Sequence, residues 1–154
     1  MSRHREILGL GTKTPSVGAV TFVAPSANVI GDVQLGDNSG VWYGAILKGD
    51  LSKIRVGENS VIKDRAVLSS IIPGSNISIG KNVIVGHGAI VGAATIEDGA
   101  TIGMGATISD GAVIKKGAYV APGSVVEPKT TVPDGQVVLF EQNSCRQHFF
   151  RCNS

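Results

Sequence analysis

The chain of 154 residues has few thiols, little charge and no long apolar run. Its two cysteines, Cys145 and Cys152, stand near the C-terminus, so the main body carries no thiol and a disulfide framework is excluded. Charged residues make up 17% and the formal net charge is +2, too weak a field to collect nucleic acid or an anionic membrane. No nucleic-acid partner is expected. No apolar stretch approaches the roughly 20 residues of a membrane-spanning helix, so no transmembrane segment is expected either. The opening "MSRHREILGLGTKTPSVG" lacks the apolar core of a signal peptide. It reads either as the scar of an organellar leader or as an ordinary polar arm, and Glu6 and its shortness count against a transit peptide. At this length one domain around one core is the default.

Glycine is what the chain has in quantity. Its 21 glycines are spread evenly, which fits neither a linker nor collagen and directs attention to internal repeats. The repeat has a period of six. Aliphatic residues stand at Val23, Val29, Leu35, Val41 and Leu47, then at Val56, Ile62 and Leu68, then at Ile79, Val85 and Val91. After one five-residue step the series resumes at Ile96 and continues through Ile102, Ile108, Ile114, Val120 and Val126 to Val132. Four residues after most of these comes a small one, as at Ala27, Ser39, Ala66, Ala89, Thr95, Ala106 and Ser124.

A helix of 3.6 residues per turn cannot hold a six-residue spacing on one face, and a plain strand alternates every two. Three short strands per coil, joined by tight corners, satisfy it. The β-branched residue points inward from each flat face, the small residue fits the crowded corner, and glycine supplies backbone freedom at the turn. Stacked coils then bury an aliphatic column worth roughly 1.5–3 kcal/mol per fully buried Val, Ile or Leu. The expected fold is all-β, with residues 1–19 as an N-terminal arm, 20–138 as the β-helix and 139–154 as a divergent C-terminal tail. The spacing lengthens at residues 48–55, "KGDLSKIR", and at 69–78, "SSIIPGSNIS", where a coil kept in register must bulge outward. Pro73 and Gly74 mark the second as a loop. The tail after Val138 drops the repeat and reads as a short helix or a cap.

The repeat resembles the hexapeptide of left-handed parallel β-helices, and the handedness comes from that resemblance. The stretches "FVAPSANVIGDVQLG", "WYGAILKGDLSKIRVGENSVIKDRAVL", "VIVGHGAIVGAATI" and "IGMGATISDGAVI" go further. Over about residues 20–138 they resemble the γ-class carbonic anhydrases, and the opening "SRHR" is similar to the mitochondrial members that belong to respiratory complex I. The resemblance implies a trimer with zinc at its interfaces, held by two histidines of one subunit and one of the next. Three protein ligands and a water are what a catalytic zinc requires.

Against that pattern the chain departs at two of three ligand positions. Where the family has its first histidine, after "VL", stands Ser69; the second is present as His87; at the third stands Gly92. A serine hydroxyl stays protonated at neutral pH and glycine offers no donor, so the resemblance implies an inactive homologue that binds no zinc alone. The family's "NIQD" is here Val61, Ile62, Lys63 and Asp64, and its "RGD" is Lys48, Gly49 and Asp50. Lys63 replaces the glutamine and reads as an anion contact or as a solvated corner lysine. Lys48, Asp50 and Asp64 read as charges that pair across a subunit boundary or as solvated corner charges. Lysine at position 48 keeps the charge but loses the bidentate fork of arginine.

His87 faces outward by its place in the hexad. It is either a surface or interface histidine that binds no metal, or the single ligand given to a zinc shared with an intact γ-carbonic anhydrase paralogue. The expected role is therefore structural: a subunit of a heterotrimer with such paralogues, in contact with complex I membrane-arm subunits on the matrix side of the mitochondrial inner membrane. A mixed-trimer carbonic anhydrase is the nearest alternative. Acyl transfer with His87 as general base is a more distant one, and no long substrate-binding loop is evident for it.

Overall fold

The computed structural model describes residues 7–140 and 147–151. Its parallel strands wind into a β-solenoid of about seven turns, as in a left-handed β-helix, and no helix occurs among the described residues. One coil separates Thr101 from its neighbour Tyr119 and Thr107 from its neighbour Val125. Each coil contributes a strand to three faces in turn. The first face stacks Phe22–Val23, Gly40–Val41, Val61–Ile62, Ile84–Val85, Thr101–Ile102, Tyr119–Val120 and Gln136–Phe140. The second runs through Val67–Ser69, Ile90–Val91, Thr107–Ile108 and Val125–Val126, and the third through Asn76–Ile79, Thr95–Ile96, Val113–Ile114 and Thr131–Val132.

The strand pairing follows from the inward column. Val29, Val41, Leu47, Ile62, Leu68, Val85, Val91, Ile102, Ile108, Ile114, Val120, Val126 and Val132 are all buried. Only Val23, in the first coil, is merely half-buried, because little of the solenoid lies beyond it. Ala27, Ala66, Ala89 and Ala106 fill the corners, where a larger side chain would meet the next strand. Buried corner hydroxyls find carbonyls: Ser39 Oγ donates to Gly36 O at 2.7 Å and Ser60 Oγ to Gly80 O at 2.6 Å.

Four departures from the sequence reading have physical causes. "KGDLSKIR" does bulge, residues 50–53 lying opposite Asp32 alone, but it does so within one continuous strand, Ile46–Val56, that turns the corner between the second and third faces. Asn28–Leu35 does the same beside it, and the additional residues are absorbed by a register shift between Gly31 and Val33. Ile54 and Ile77 thereby become fully buried core residues that the six-residue count passed over. Thr95 faces outward, and Ala94, 2% exposed, takes its corner, because the five-residue step moves the small position back by one. The tail forms no helix over its described residues: Gln147–Arg151 pairs antiparallel with Gln136–Phe140 and continues the first face. Part of the N-terminal arm is recruited too, Ile7–Leu8 and Ser16–Val17 lying parallel to Asn28–Leu35. The loop marked by Pro73 and Gly74 is present between Ser69 and Asn76.

Outward positions differ between faces. The second carries Ile46, Val67 and Ile90, the last 50% exposed, whereas the third carries Gln34, Arg55, Ser78 and Thr95. Close stacking also leaves no room at certain glycines. Gly31 has φ +80°, and a Cβ there would lie 2.5 Å from Gly49 O.

Two substitutions measure these constraints. Ile102→Ala, in the middle of the column, is expected to lower unfolding free energy by about 2–5 kcal/mol in urea. Gly31→Ala is expected to cost more than Gly11→Ala, which also has positive φ but nothing within 4 Å of its Cβ; equal costs would mean that φ alone, and not the stacking, sets the requirement.

Candidate functional site

Corners are where this fold exposes functional groups, because the faces commit every second side chain to the core. His87 sits at the corner between the first and second faces, flanked by Ile84–Val85 and Ile90–Val91. Asp64 lies in the coil on one side and Met104 on the other: Gly88 N–H donates to Asp64 O at 2.9 Å, and Gly105 N–H to His87 O at 2.8 Å. The imidazole Nδ1 stands 3.9 Å from Asp64 Oδ2, with the two side chains 54% and 42% exposed. That is a loose ion pair available to protonated His87, worth at most about 1 kcal/mol at such exposure. A hollow of about 390 Å³ beside it is lined by Trp42, Val61, Lys63, Asp64 and His87. Lys63 thus shares a hollow with His87. Next to it Phe22, Trp42 and Tyr43 form an exposed aromatic group, Phe22 and Trp42 having ring centroids 5.4 Å apart.

Lys48, Ser69 and Gly92 lie at the other edge of the second face. Lys48 is in register with Ser69, and the pairing of Leu68 with Val91 brings Gly92 beside Ser69 one coil further on. Lys48 Nζ is 3.8 Å from Asp50 Oδ2 within the same chain. The charges therefore divide: Lys48 and Asp50 at one corner, Asp64 with His87 at the other. Ser69 and Gly92 adjoin each other, while His87 is separated from them by the width of the face.

Gly92 has a neighbour that the sequence reading missed. A Cβ at Gly92 would collide with Asp110 Oδ1, and the same carboxylate accepts Ala93 N–H at 2.6 Å. The device recurs: Asp37 accepts Ala19 N–H and crowds Gly18, and Asp98 accepts Lys81 N–H and crowds Gly80. The signal was present as glycines followed one coil later by aspartates. Position 92 thus serves an ordinary corner of this solenoid, a carboxylate satisfying a backbone donor over a residue without a side chain.

A zinc site needs three protein donors converging on one point. Among the described residues no three His, Cys, Asp or Glu side chains do so. Within one chain His87 and Asp64 bring one imidazole and a carboxylate 3.9 Å from it.

Comparison with known proteins agrees with the fold and narrows the class. A family profile described as bacterial transferase hexapeptide (six repeats) matches residues 93–128. A crystal structure of a hexapeptide transferase family protein from Anaplasma phagocytophilum superposes with a TM-score of 0.86 at 34% identity, covering 96% of this chain and 84% of that one. The chain belongs to the hexapeptide-repeat family, and over part of its length it is similar to γ-carbonic anhydrases. Gamma carbonic anhydrase 2, mitochondrial, of Arabidopsis thaliana is 46% identical over 78 residues, which is 51% of this chain and 27% of the relative. Gamma carbonic anhydrase-like 1, mitochondrial, of the same plant is 43% identical over 65 residues, 42% of this chain and 26% of the relative. The matched segment spans about a quarter of those proteins.

Gly92→His is expected to destabilise the chain by about 1–3 kcal/mol, because the new side chain must displace the Asp110 carboxylate. In an Asp110→Ala background, itself costing about 1 kcal/mol through the lost acceptor, the same change is expected to cost less. A double-mutant cycle read by denaturant unfolding checks this, and strict additivity would show that Asp110 does not occupy the position.

Proposed function

We propose that this chain is a catalytically degenerate γ-carbonic-anhydrase-like subunit, serving the assembly or stability of a heterotrimer in the matrix-side domain of mitochondrial respiratory complex I. The observation that carries the reading is the Gly92 corner. The position that the family resemblance assigns to a ligand is taken up by a carboxylate-to-backbone hydrogen bond, and Ser69 beside it offers only a protonated hydroxyl. The mitochondrial names of the Arabidopsis relatives support the location, and the presence of carbonic-anhydrase-like proteins among them supports a non-catalytic member. The apolar outward residues of the second face, Ile46, Val67 and Ile90, support a face covered in an assembly.

The two-edge layout decides what such a subunit offers. His87 at one edge is available to a neighbour that brings two histidines; Ser69 and Gly92 at the other edge have no zinc ligand to give. A homotrimer would collect one histidine per interface, and a mixed trimer completes a site only on the His87 side. Any zinc belongs to an interface with an intact paralogue.

A second reading, acyl transfer, has one observation in its favour: the Asp64 carboxylate lies near His87 Nδ1, as a base-orienting group would.

Purified alone, the protein is expected to hold no stoichiometric zinc and to show no hydration of carbon dioxide above background; a zinc-loaded, active homotrimer would overturn the degenerate reading. In a reconstituted mixed trimer with an intact paralogue, His87→Ala is expected to remove the zinc of one interface. Unchanged zinc content, measured by atomic absorption, would reject the donor role. Titration with acetyl-coenzyme A is expected to give no saturable binding, and saturation would favour acyl transfer. Isolation of the tagged protein only as a small free trimer would remove the complex I assignment.

A further inference from the structure

The two ends of the solenoid differ. At the C-terminal end the last inward residues, Val126, Val132 and Val138, are fully buried. At the N-terminal end the column lies open. Ile7 pairs with Val29, Val17 with Leu35 and Val23 with Val41, so these three are the inward residues of the first coil. Ile7 is 38% and Val17 39% exposed, and Val23 is only half-buried. Leu8, Leu10, Val20 and Phe22 are exposed around them. Residues 7–23 carry a single charge, Lys13, which is bonded to Asp50 O in the body of the solenoid. The six residues before Ile7 hold no Val, Ile or Leu, so they bring nothing that extends the column.

The backbone is open at the same place. In later coils the carbonyl of the inward residue accepts an N–H from the coil before: Leu35 O from Gly18 and Val41 O from Ala24, both at 2.8 Å, and Ile62 O from Trp42 and Val85 O from Lys63, both at 2.9 Å. In a parallel ladder the N–H and C=O of one residue face the same neighbour. Among the described residues Val17 and Val23 have no coil before them: Ser16–Val17 pairs only with Asn28–Leu35, and Phe22–Val23 only with Gly40–Val41. Their N–H and C=O groups therefore face the open end, beside the exposed aliphatic side chains. Such an edge is a template for another strand.

We propose that the N-terminal end takes up an extended aliphatic segment of a partner polypeptide, which adds one coil to the solenoid by strand addition. The end itself sets the chemistry of that segment: Val, Ile or Leu at intervals near six, to lie over Ile7, Val17 and Val23, with small residues at the corners and little charge. A second copy set end to end fits less well. A coil with three six-residue sides is a triangle about 20 Å on an edge, and its cross-section of about 200 Å² falls well short of the roughly 800 Å² per partner that a stable complex buries. A segment that wraps round the end also pairs the open N–H and C=O groups strand by strand. The proposal is independent of zinc and of His87.

The probe is a labelled synthetic peptide of one of the chain's own coils, residues 100–117, "ATIGMGATISDGAVIKKG", titrated with the full chain and read by fluorescence anisotropy. Saturable binding is expected, and none to a scrambled peptide of the same composition. A peptide with Ser in place of Ile102, Ile108 and Ile114 is expected to bind at least about tenfold more weakly, a result that does not depend on any protein variant folding. Val17→Lys in the protein is expected to weaken binding by a similar factor, and Lys116→Gln, on a distant corner, to leave it unchanged. In hydrogen exchange the bound peptide is expected to protect the Val17 and Val23 amides. Absence of saturation, equal binding of the scrambled peptide, or protection that leaves these two amides unchanged would overturn the proposal. So would dimerisation of the protein alone that Val17→Lys abolishes, since it would give the end to a second copy.

Discussion

The constraint on which everything else rests is coil-on-coil register. Each inward Val, Ile or Leu must lie over its counterpart in the next coil, because the parallel ladders and the aliphatic column share one spacing. Each coil touches only its neighbours, so stability accumulates by repetition and no remote contact can rescue a misplaced coil. Additional residues are admitted only where they leave the column undisturbed. The insertion before Ile54 is taken up as a longer strand that turns a corner, and the one after Ser69 as a loop outside the column.

That constraint separates stability from chemistry. Faces are spent on stacking, and the groups free to do anything else are at corners. Corners are also where backbone donors need acceptors, and the chain meets this need repeatedly with an aspartate one coil away. A corner can therefore be committed to the fold or to a ligand, and Gly92 with Asp110 is committed to the fold. Ser69 beside it, on the edge of the second face, is free to vary without disturbing Leu68 and Val91 behind it.

The column was readable in the sequence because burial of one residue in six is dictated by geometry that repeats. What was hidden arises where the period breaks. Ile54 and Ile77 were invisible to a six-residue count because they belong to the insertions, and Thr95 was misassigned because one deleted residue moves the small position to Ala94. The terminal strand Gln147–Arg151 carries no hexad, and its antiparallel pairing leaves no trace in a parallel repeat. For the candidate site, residue types were visible but proximity was not. Lys48 and Asp64 are both charged corner residues, yet they stand on opposite edges of one face; Asp110 reaches Gly92 only because coils stack.

The same logic lets corner side chains change while the fold is kept. Corner side chains contribute nothing to the column, in which Val91, Leu68 and Val85 are fully buried. The Gly92 corner has gone one step further. The Asp110 carboxylate satisfies Ala93 N–H and fills the space that a side chain would enter, so a larger residue at position 92 conflicts with a hydrogen bond of the scaffold. His87 is under no such pressure: its backbone carbonyl accepts Gly105 N–H whatever the imidazole does, and its side chain is half exposed. At one edge of the second face the fold itself thus fills the corner, and at the other the corner side chain stays exposed.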